Sequence, residues 1–261
     1  MKCKILFLLF FITDLFASSL TIQSTTSTRD SGLYDYLLPL YPNIDKVKIK
    51  VVAVGTGQAI LNSQKCDGDI LIVHDREREN EFLKFYGESR HSLMYNDYVL
   101  IGPKNDPANL QKEQSIEDAF RKLYESGKFK FISRSDSSGT HAAEMEIWDR
   151  IKLRPEDYSG SWYLETGQSM GQSLNISVAT SSYIFSDRST WIRFKNKRNH
   201  IIIYEDKNVL KNYYGMILVS KKKCPDRHPY SENLYNWLKS NDVKTLITKY
   251  TIDGNEIFYI E

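Results

Sequence analysis

The stretch Phe129-Lys130-Phe131-Ile132-Ser133-Arg134-Ser135-Asp136-Ser137-Ser138-Gly139-Thr140-His141 decides how this chain is read. Its first five residues have the apolar and aromatic content of a strand. Its last four open a helix expected to run from near Ser138 to Ile151, because serine is a favoured residue just before a helix. Between them lies a turn of hydroxyls, one arginine and one carboxylate. Strand, polar turn and helix together make one βα unit.

Two other stretches share that shape. Ser24-Thr25-Thr26-Ser27-Thr28 follow the strand candidate Leu20 to Gln23, and Gly55-Thr56-Gly57-Gln58 follow Lys46 to Val54. The latter run passes from alternating to continuously apolar residues, which predicts a strand entering a buried sheet. Further out, strands are predicted at Asp69–Val73, Met94–Gly102, Tyr183–Ser186, His200–Tyr204 and Gly215–Ser220. Helices are predicted over Glu77–Tyr86, from the cap Ser115 to Gly127, over Gln168–Thr180, and once or twice between Leu234 and Tyr250. This alternation predicts an α/β chain with mainly parallel sheets and right-handed crossovers.

Composition narrows the function classes. Lys2 and Lys4, the apolar run Ile5 to Ile12 and the small residues Ala17-Ser18-Ser19 have the layout of a cleavable export signal over residues 1–19. The run is too short to span a membrane comfortably. With Lys2, Lys4 and Asp14 set aside, the 35 cations and 33 anions of the chain become 33 and 32. So even a balance argues against nucleic-acid or membrane-surface binding. Any anion site must therefore be local. Cys66 and Cys224 remain after processing, either paired or as two free buried thiols. No CxxC or other metal-ligand spacing is present.

The chemistry sits in the three turns. A helix start carries unpaired backbone N–H groups and the positive end of the helix dipole. An anion docks there without a charged side chain. Ser and Thr hydroxyls add neutral donors, and Arg134 adds one charge-assisted contact. Strand ends at a switch point bring such turns together around one crevice. Taken singly, each turn is an ordinary helix cap. Three together, one with Arg134 and Ser138-Gly139-Thr140, point to a small dianion.

The segments Ser24 to Gly32, Val52 to Ala59, Met94-Tyr95-Asn96-Asp97, Ser133 to His141 and Gly167-Gln168-Ser169-Met170-Gly171 resemble the tungstate-binding TupA group of periplasmic solute-binding proteins. The resemblance runs from about Thr21 to Val219. It implies a type II periplasmic-binding-protein fold: two lobes joined by two crossover strands. Lobe I would be residues 20–102 plus 213–261, and lobe II residues 103–212. Met94–Gly102 and Gly215–Ser220 would be the crossovers. The ligand implied is tungstate, or molybdate next, bound without any cofactor and delivered to an ABC permease and its ATPase. A periplasmic location and a monomer are implied too.

Carried over by position, lobe I would offer Thr25, Thr26, Ser27 and Thr56 to the oxyanion. Lobe II would offer Arg134, Ser138, Gly139 and Thr140. Gly57, His141, Ser169, Met170 and Gly171 are candidate pocket lining. Ser24 stands where the family has Thr, and Ser169 stands where it has Gly. Phosphate, which carries protons near neutral pH, would want a carboxylate acceptor. Asp136 is the one carboxylate in its turn and either serves that role or pairs with Arg134. His141 and Glu144 share a helix face, which favours a hydrogen bond over a metal site; His141 could also buttress Arg134. His74, His91, His200 and His228 show no clear partners. Phosphate or sulfate binding on the same fold is the first rival reading. A secreted hydrolase or phosphotransfer enzyme is a weaker one, because no metal cluster is present and Ser138 does not lie in a Gly-x-Ser-x-Gly; that spacing occurs only at Gly167-Gln168-Ser169-Met170-Gly171, which the resemblance assigns to pocket lining.

Overall fold

A computed structural model describes residues 19–261. The export-signal expectation for residues 1–19 thus lies outside the described residues, Ser19 apart. The chain opens with β1 (Leu20–Thr25) and the short helices α1 (Thr26–Asp30) and α2 (Leu33–Leu37). Next come β2 (Ile49–Val54), α3 (Thr56–Gln64), β3 (Ile70–Val73) and α4 (Arg76–Tyr86). The long strand β4 (Gly87–Pro103) leads into α5 (Ile116–Ser126), β5 (Phe131–Ser133), α6 (Gly139–Arg150) and β6 (Tyr163–Glu165). Then follow α7 (Met170–Thr180), β7 (Tyr183–Asp187), α8 (Arg188–Arg193), β8 (His200–Glu205) and β9 (Lys211–Val219). Helices α9 (Ser231–Leu238) and α10 (Asn241–Lys249) precede a small hairpin, β10 (Thr251–Ile252) with β11 (Asn255–Glu256).

The main sheet has the order β2-β1-β3-β9-β4-β7-β5-β6, with β8 also paired to β4. Strand β1 is parallel to β2 and β3, and β5 is parallel to β6 and β7. Between these two parallel sets run β4 and β9, antiparallel to each other from Gly87↔Val219 to Asp97↔Lys211. Beyond Asp97, β4 changes partners and pairs with β7 and β8. Strand β4 thus carries the chain from one half to the other and β9 carries it back. Both crossovers are longer than the sequence predicts: the polar start of β4 pairs with the apolar end of β9, from Gly87↔Val219 to Ser92↔Gly215, and Tyr95–Asp97 pair with the polar start of β9, Lys211–Tyr213.

Each half has its own apolar core. The first joins the two ends of the chain, with Leu20, Ile22, Leu33 and Ile72 packed against Met216, Leu234, Ile247 and Phe258. The second lies within the middle of the chain, around Leu100, Phe120, Phe131, Trp148, Tyr163 and Phe185. Helix α5 shows how local signals set an element. Ser115 accepts from the Asp118 N–H at 3.0 Å, and Gly127 closes the helix at φ 56°, which glycine adopts without penalty.

Some expectations need correction. Strand β2 lies at the sheet edge, and none of its residues is fully buried. Its apolar run reflects packing on the faces rather than a central position. Strand β6 and helix α8, with three and six residues, are too short to show a period and were not predicted. Cys66 and Cys224 are joined as a disulfide, with Cα atoms 5.3 Å apart. No helix of the described residues is long and apolar enough to cross a membrane.

Candidate functional site

Helix α6 starts opposite α3. The Gly139 N–H donates to Thr56 Oγ1 at 3.2 Å, and the Gly57 N–H donates to the Ser137 carbonyl at 3.1 Å. Thr56 is the first residue of α3, with Gly55 before it, and Gly139 is the first residue of α6. Two helix starts from different halves of the sheet therefore aim at one region, and both contribute positive potential there. Ser138 caps α6 by accepting from the His141 N–H at 3.2 Å. Thr56, Ser138 and Gly139 are all buried.

The hydroxyls after β1 pack against one another beside this region. Thr25 Oγ1 lies 3.1 Å from Ser27 Oγ and 2.9 Å from Thr28 Oγ1. Thr25, Ser27 and Thr28 are buried and Thr26 is half-buried. Ser27 Oγ lies 3.4 Å from His74 Nε2. His74 in turn touches the start of α6, since a Cβ on Gly139 would stand 2.6 Å from the His74 carbonyl oxygen. A continuous chain of contacts, Ser27 to His74 to Gly139 to Thr56, connects all three junctions.

Arg134 is 5% exposed. Its Nη2 donates to Asp136 Oδ2 at 2.5 Å and its Nε to the Gln168 carbonyl at 3.3 Å. The other oxygen of Asp136 accepts from the Ser138 N–H at 3.2 Å. Asp136 thus ties the guanidinium to the cap of α6. Ser135 between them has φ 43°, a left-handed conformation that costs a serine energy. Its hydroxyl donates to Glu165 Oε1 at 2.7 Å and its N–H to Ser133 Oγ at 3.2 Å, and these contacts hold the turn in place. Thr140 is 1% exposed, yet its hydroxyl has no hydrogen-bond partner. A buried hydroxyl without a partner is uncommon and needs a reason. Thr140 is the second residue of α6, directly after Gly139.

The candidate lining residues have mixed placements. Gly57 faces Ser137, where an added Cβ would stand 3.0 Å from the serine Cβ. His141 Nδ1 lies 3.3 Å from Ser133 Oγ and 3.8 Å from Glu144 Oε2, and its hydrogen bonds do not include Arg134. Partial burial pulls the His141 pKa down, but the hydrogen bond and charge of Glu144 outweigh that and leave it raised. Ser169 is exposed and engaged with Gln172, its Oγ donating to Oε1 at 2.6 Å. Gly171 faces open space. Met170 is 3% exposed and packs with Val99, Ile132, Leu174 and Trp191, so it belongs to a core. What this segment gives the site is the Gln168 carbonyl that accepts from Arg134.

Sequence reading missed the group behind the junctions. His74 has partners: Nδ1 lies 2.9 Å from Asn212 Oδ1 and 3.2 Å from the Tyr98 hydroxyl, and the ring stacks on Tyr214. Complete burial holds its pKa below the ordinary imidazole value, against the raising influence of Asp187 and Asn212. One signal was visible, because Val73-His74-Asp75 is a further strand-to-helix junction. The partners Tyr98 and Asn212 lie on the two crossovers. A cavity of about 150 Å³ opens here, lined by His74, Tyr98, Gly139 and Asn212 among others. Among the described residues, no group of three or more His, Cys, Asp or Glu is placed to hold a metal ion.

Comparison with known proteins gives consistent findings. A family model described as a PBP superfamily domain matches residues 17–242. The tungstate-binding protein TupA of Peptoclostridium acidaminophilum is 39% identical over 236 residues, covering 89% of this chain and 81% of that protein. Among solved structures, a tungstate ABC transporter structure from Geobacter sulfurreducens superposes with a TM-score of 0.80 at 36% identity, covering 89% of this chain and 98% of that one. The tungstate-binding protein TupA from Desulfovibrio alaskensis G20 has a TM-score of 0.79 at 33% identity, covering 93% and 98%.

Proposed function

We infer the function from one premise: the chain belongs to the PBP superfamily and, within it, to the family of tungstate-binding TupA proteins. Its fold is the periplasmic-binding-protein fold that the resemblance implied. It is a solute-binding protein for a tetrahedral oxyanion, not an enzyme. The ligand is tungstate, with molybdate next, held as a dianion between lobe I (residues 20–102 and 213–261) and lobe II (residues 103–212). Delivery is to an ABC permease and its ATPase, from a monomer exported to the periplasm behind residues 1–19.

One observation carries the reading: the contact of the Gly139 N–H with Thr56 Oγ1, which brings the starts of α3 and α6 to one place. A dianion between two helix starts gains hydrogen bonds from both halves. It therefore favours the closed arrangement, and only this difference in contact can shift a hinge equilibrium. The proposed ligand groups are Thr25, Thr26, Ser27 and Thr56 on one side and Arg134, Ser138, Gly139 and Thr140 on the other. Two details favour a fully deprotonated anion. The free Thr140 hydroxyl can donate, and Asp136 is already engaged with Arg134 and Ser138. A phosphate proton would find no idle carboxylate in that turn.

The test is a calorimetric competition among tungstate, molybdate, sulfate and phosphate. Tungstate should win, with molybdate second. Preference for phosphate or sulfate would keep the class and overturn the ligand. Turnover of a phosphate ester would overturn the class.

A further inference from the structure

The hydrogen-bond directions around His74 set a condition on Ser27. Asn212 Nδ2 donates to Asn96 Oδ1 at 2.7 Å and to the Tyr214 hydroxyl at 3.1 Å, which fixes the amide with its oxygen toward His74. That oxygen accepts from the Tyr98 hydroxyl at 2.8 Å and faces His74 Nδ1 at 2.9 Å. A carbonyl oxygen cannot donate, so Nδ1 must carry a hydrogen. In a neutral ring the other nitrogen, Nε2, is then a bare acceptor. It faces Ser27 Oγ. Thr25 Oγ1, 3.1 Å from Ser27 Oγ, can itself donate to the serine, so Ser27 satisfies Nε2 by giving it its one hydroxyl hydrogen, and what Ser27 then presents elsewhere is lone pairs. Lone pairs repel an oxyanion.

A second proton reverses the polarity. With hydrogen on Nε2, the ring donates to Ser27 Oγ, and the serine hydrogen is released toward the ligand. The imidazolium then stands one side chain behind the anion. We propose that filling the site with the dianion places a second proton, taken from solvent, on His74 Nε2, and that His74 thereby switches Ser27 from acceptor to donor. His74 acts as a positioning residue, since it works through Ser27. The inference rests on the oxyanion reading above and adds to it a coupling between ligand and proton.

The surroundings fit such a switch. Asp187 and Asp75 favour a charged ring, Arg134 opposes it, and the phenols of Tyr98 and Tyr214 pack against the ring. Without ligand, burial and Arg134 keep the ring neutral. A dianion beside Ser27 offsets Arg134 and tips the balance, as an opposite charge does for any buried base. Tungstate is itself deprotonated near neutral pH, so the proton cannot be assigned to the ligand.

The experiment is calorimetric titration of the purified chain with sodium tungstate, in two non-phosphate buffers of unlike ionisation enthalpy. Uptake approaching one proton per tungstate is expected, and affinity should rise up to about tenfold per unit fall in pH wherever that uptake is seen. His74→Gln should abolish the uptake and flatten the pH dependence. Imidazole resonances of the unsubstituted protein report the same event without a substitution, as one ring gaining a proton when tungstate binds. Binding with no proton exchange, or exchange unchanged in His74→Gln, would overturn the switch and leave the oxyanion reading standing. No tungstate binding at any pH would overturn both.

Discussion

Gly139 touches His74 so closely that a methyl group on it would stand 2.6 Å from the His74 carbonyl oxygen and 2.7 Å from Nδ1. One residue starts a helix of the middle segment. The other follows a strand of the first segment. Their contact exists only when the two halves are together, and glycine alone permits it.

Gly139→Ala therefore keeps each half intact but hinders their approach. The expected outcome is a loss of tungstate affinity of tenfold or more, about 1.4 kcal/mol, with little change in the ligand-free thermal midpoint. Calorimetry and thermal unfolding on the same sample separate the two effects. Unchanged affinity would mean that the closed arrangement is not the bound one.

Arg134→Ala removes the one buried guanidinium of the site and leaves Asp136 without its partner. Tungstate binding should weaken at least tenfold, about 1.4 kcal/mol, and Arg134→Lys should recover part of it as a point charge without the planar fork. Equal affinities for the variants and the parent would remove Arg134 from the ligand set.

Thr140→Val tests the unpartnered hydroxyl by the sign of two effects. Without ligand, that group is buried and unsatisfied. Its removal should leave stability unchanged or raise it, because an unmade hydrogen bond costs about 1–3 kcal/mol. With tungstate the same change should weaken binding by about 1 kcal/mol. A variant that loses stability and keeps its affinity would show the hydroxyl to be structural.

The Cys66–Cys224 bridge spans 158 positions and ties the end of α3 to the segment after β9. Replacing both cysteines by alanine should lower the unfolding free energy by about 2–5 kcal/mol. Denaturant unfolding of the variant reads this directly. Tungstate affinity should change little, because the bridge lies at the far end of α3 from Thr56.

Stability without ligand should fall with acid in the lower part of the imidazole range, from about pH 6.5 down to about 5. Burial lowers the pKa of His74, His91 and His200 from the ordinary 6.5, so the unfolded chain takes up protons that the folded chain refuses. Stability is thus fully present above 6.5 and declines as pH drops below that value. His141, raised by Glu144, is the one histidine of these four that works the other way, and the carboxyls of Glu79 and Glu146, raised by burial, oppose the fall only toward the acid end of the range. Thermal midpoints measured across this range should fall on the acid side, and less steeply in the presence of saturating tungstate.

Some of this was readable in the chain before any fold was known. Ser115 with Asp118 and Gly127, and Ser138 with His141, are capping contacts within a few positions, so α5 and α6 announce themselves locally. The same holds for the hydroxyl-rich turns at Thr25, Thr56 and Ser138. The edge position of β2 was not readable, because an apolar run gives the faces a strand buries and not how many neighbours it has. Met170 was read as lining from its place in a motif, yet its side chain fills a core.

Sequence alone determined the βα alternation, the three polar junctions and the arginine among them, because strand period, helix caps and turn chemistry act over a few residues. Tertiary structure alone decided that Thr56 meets Gly139 across 83 positions, that His74 reaches Ser27 and Asn212 across 47 and 138, and that Cys66 finds Cys224. Such contacts depend on which strands become neighbours and which way each junction then faces. Burial of the whole chain settles that, and no local propensity encodes it.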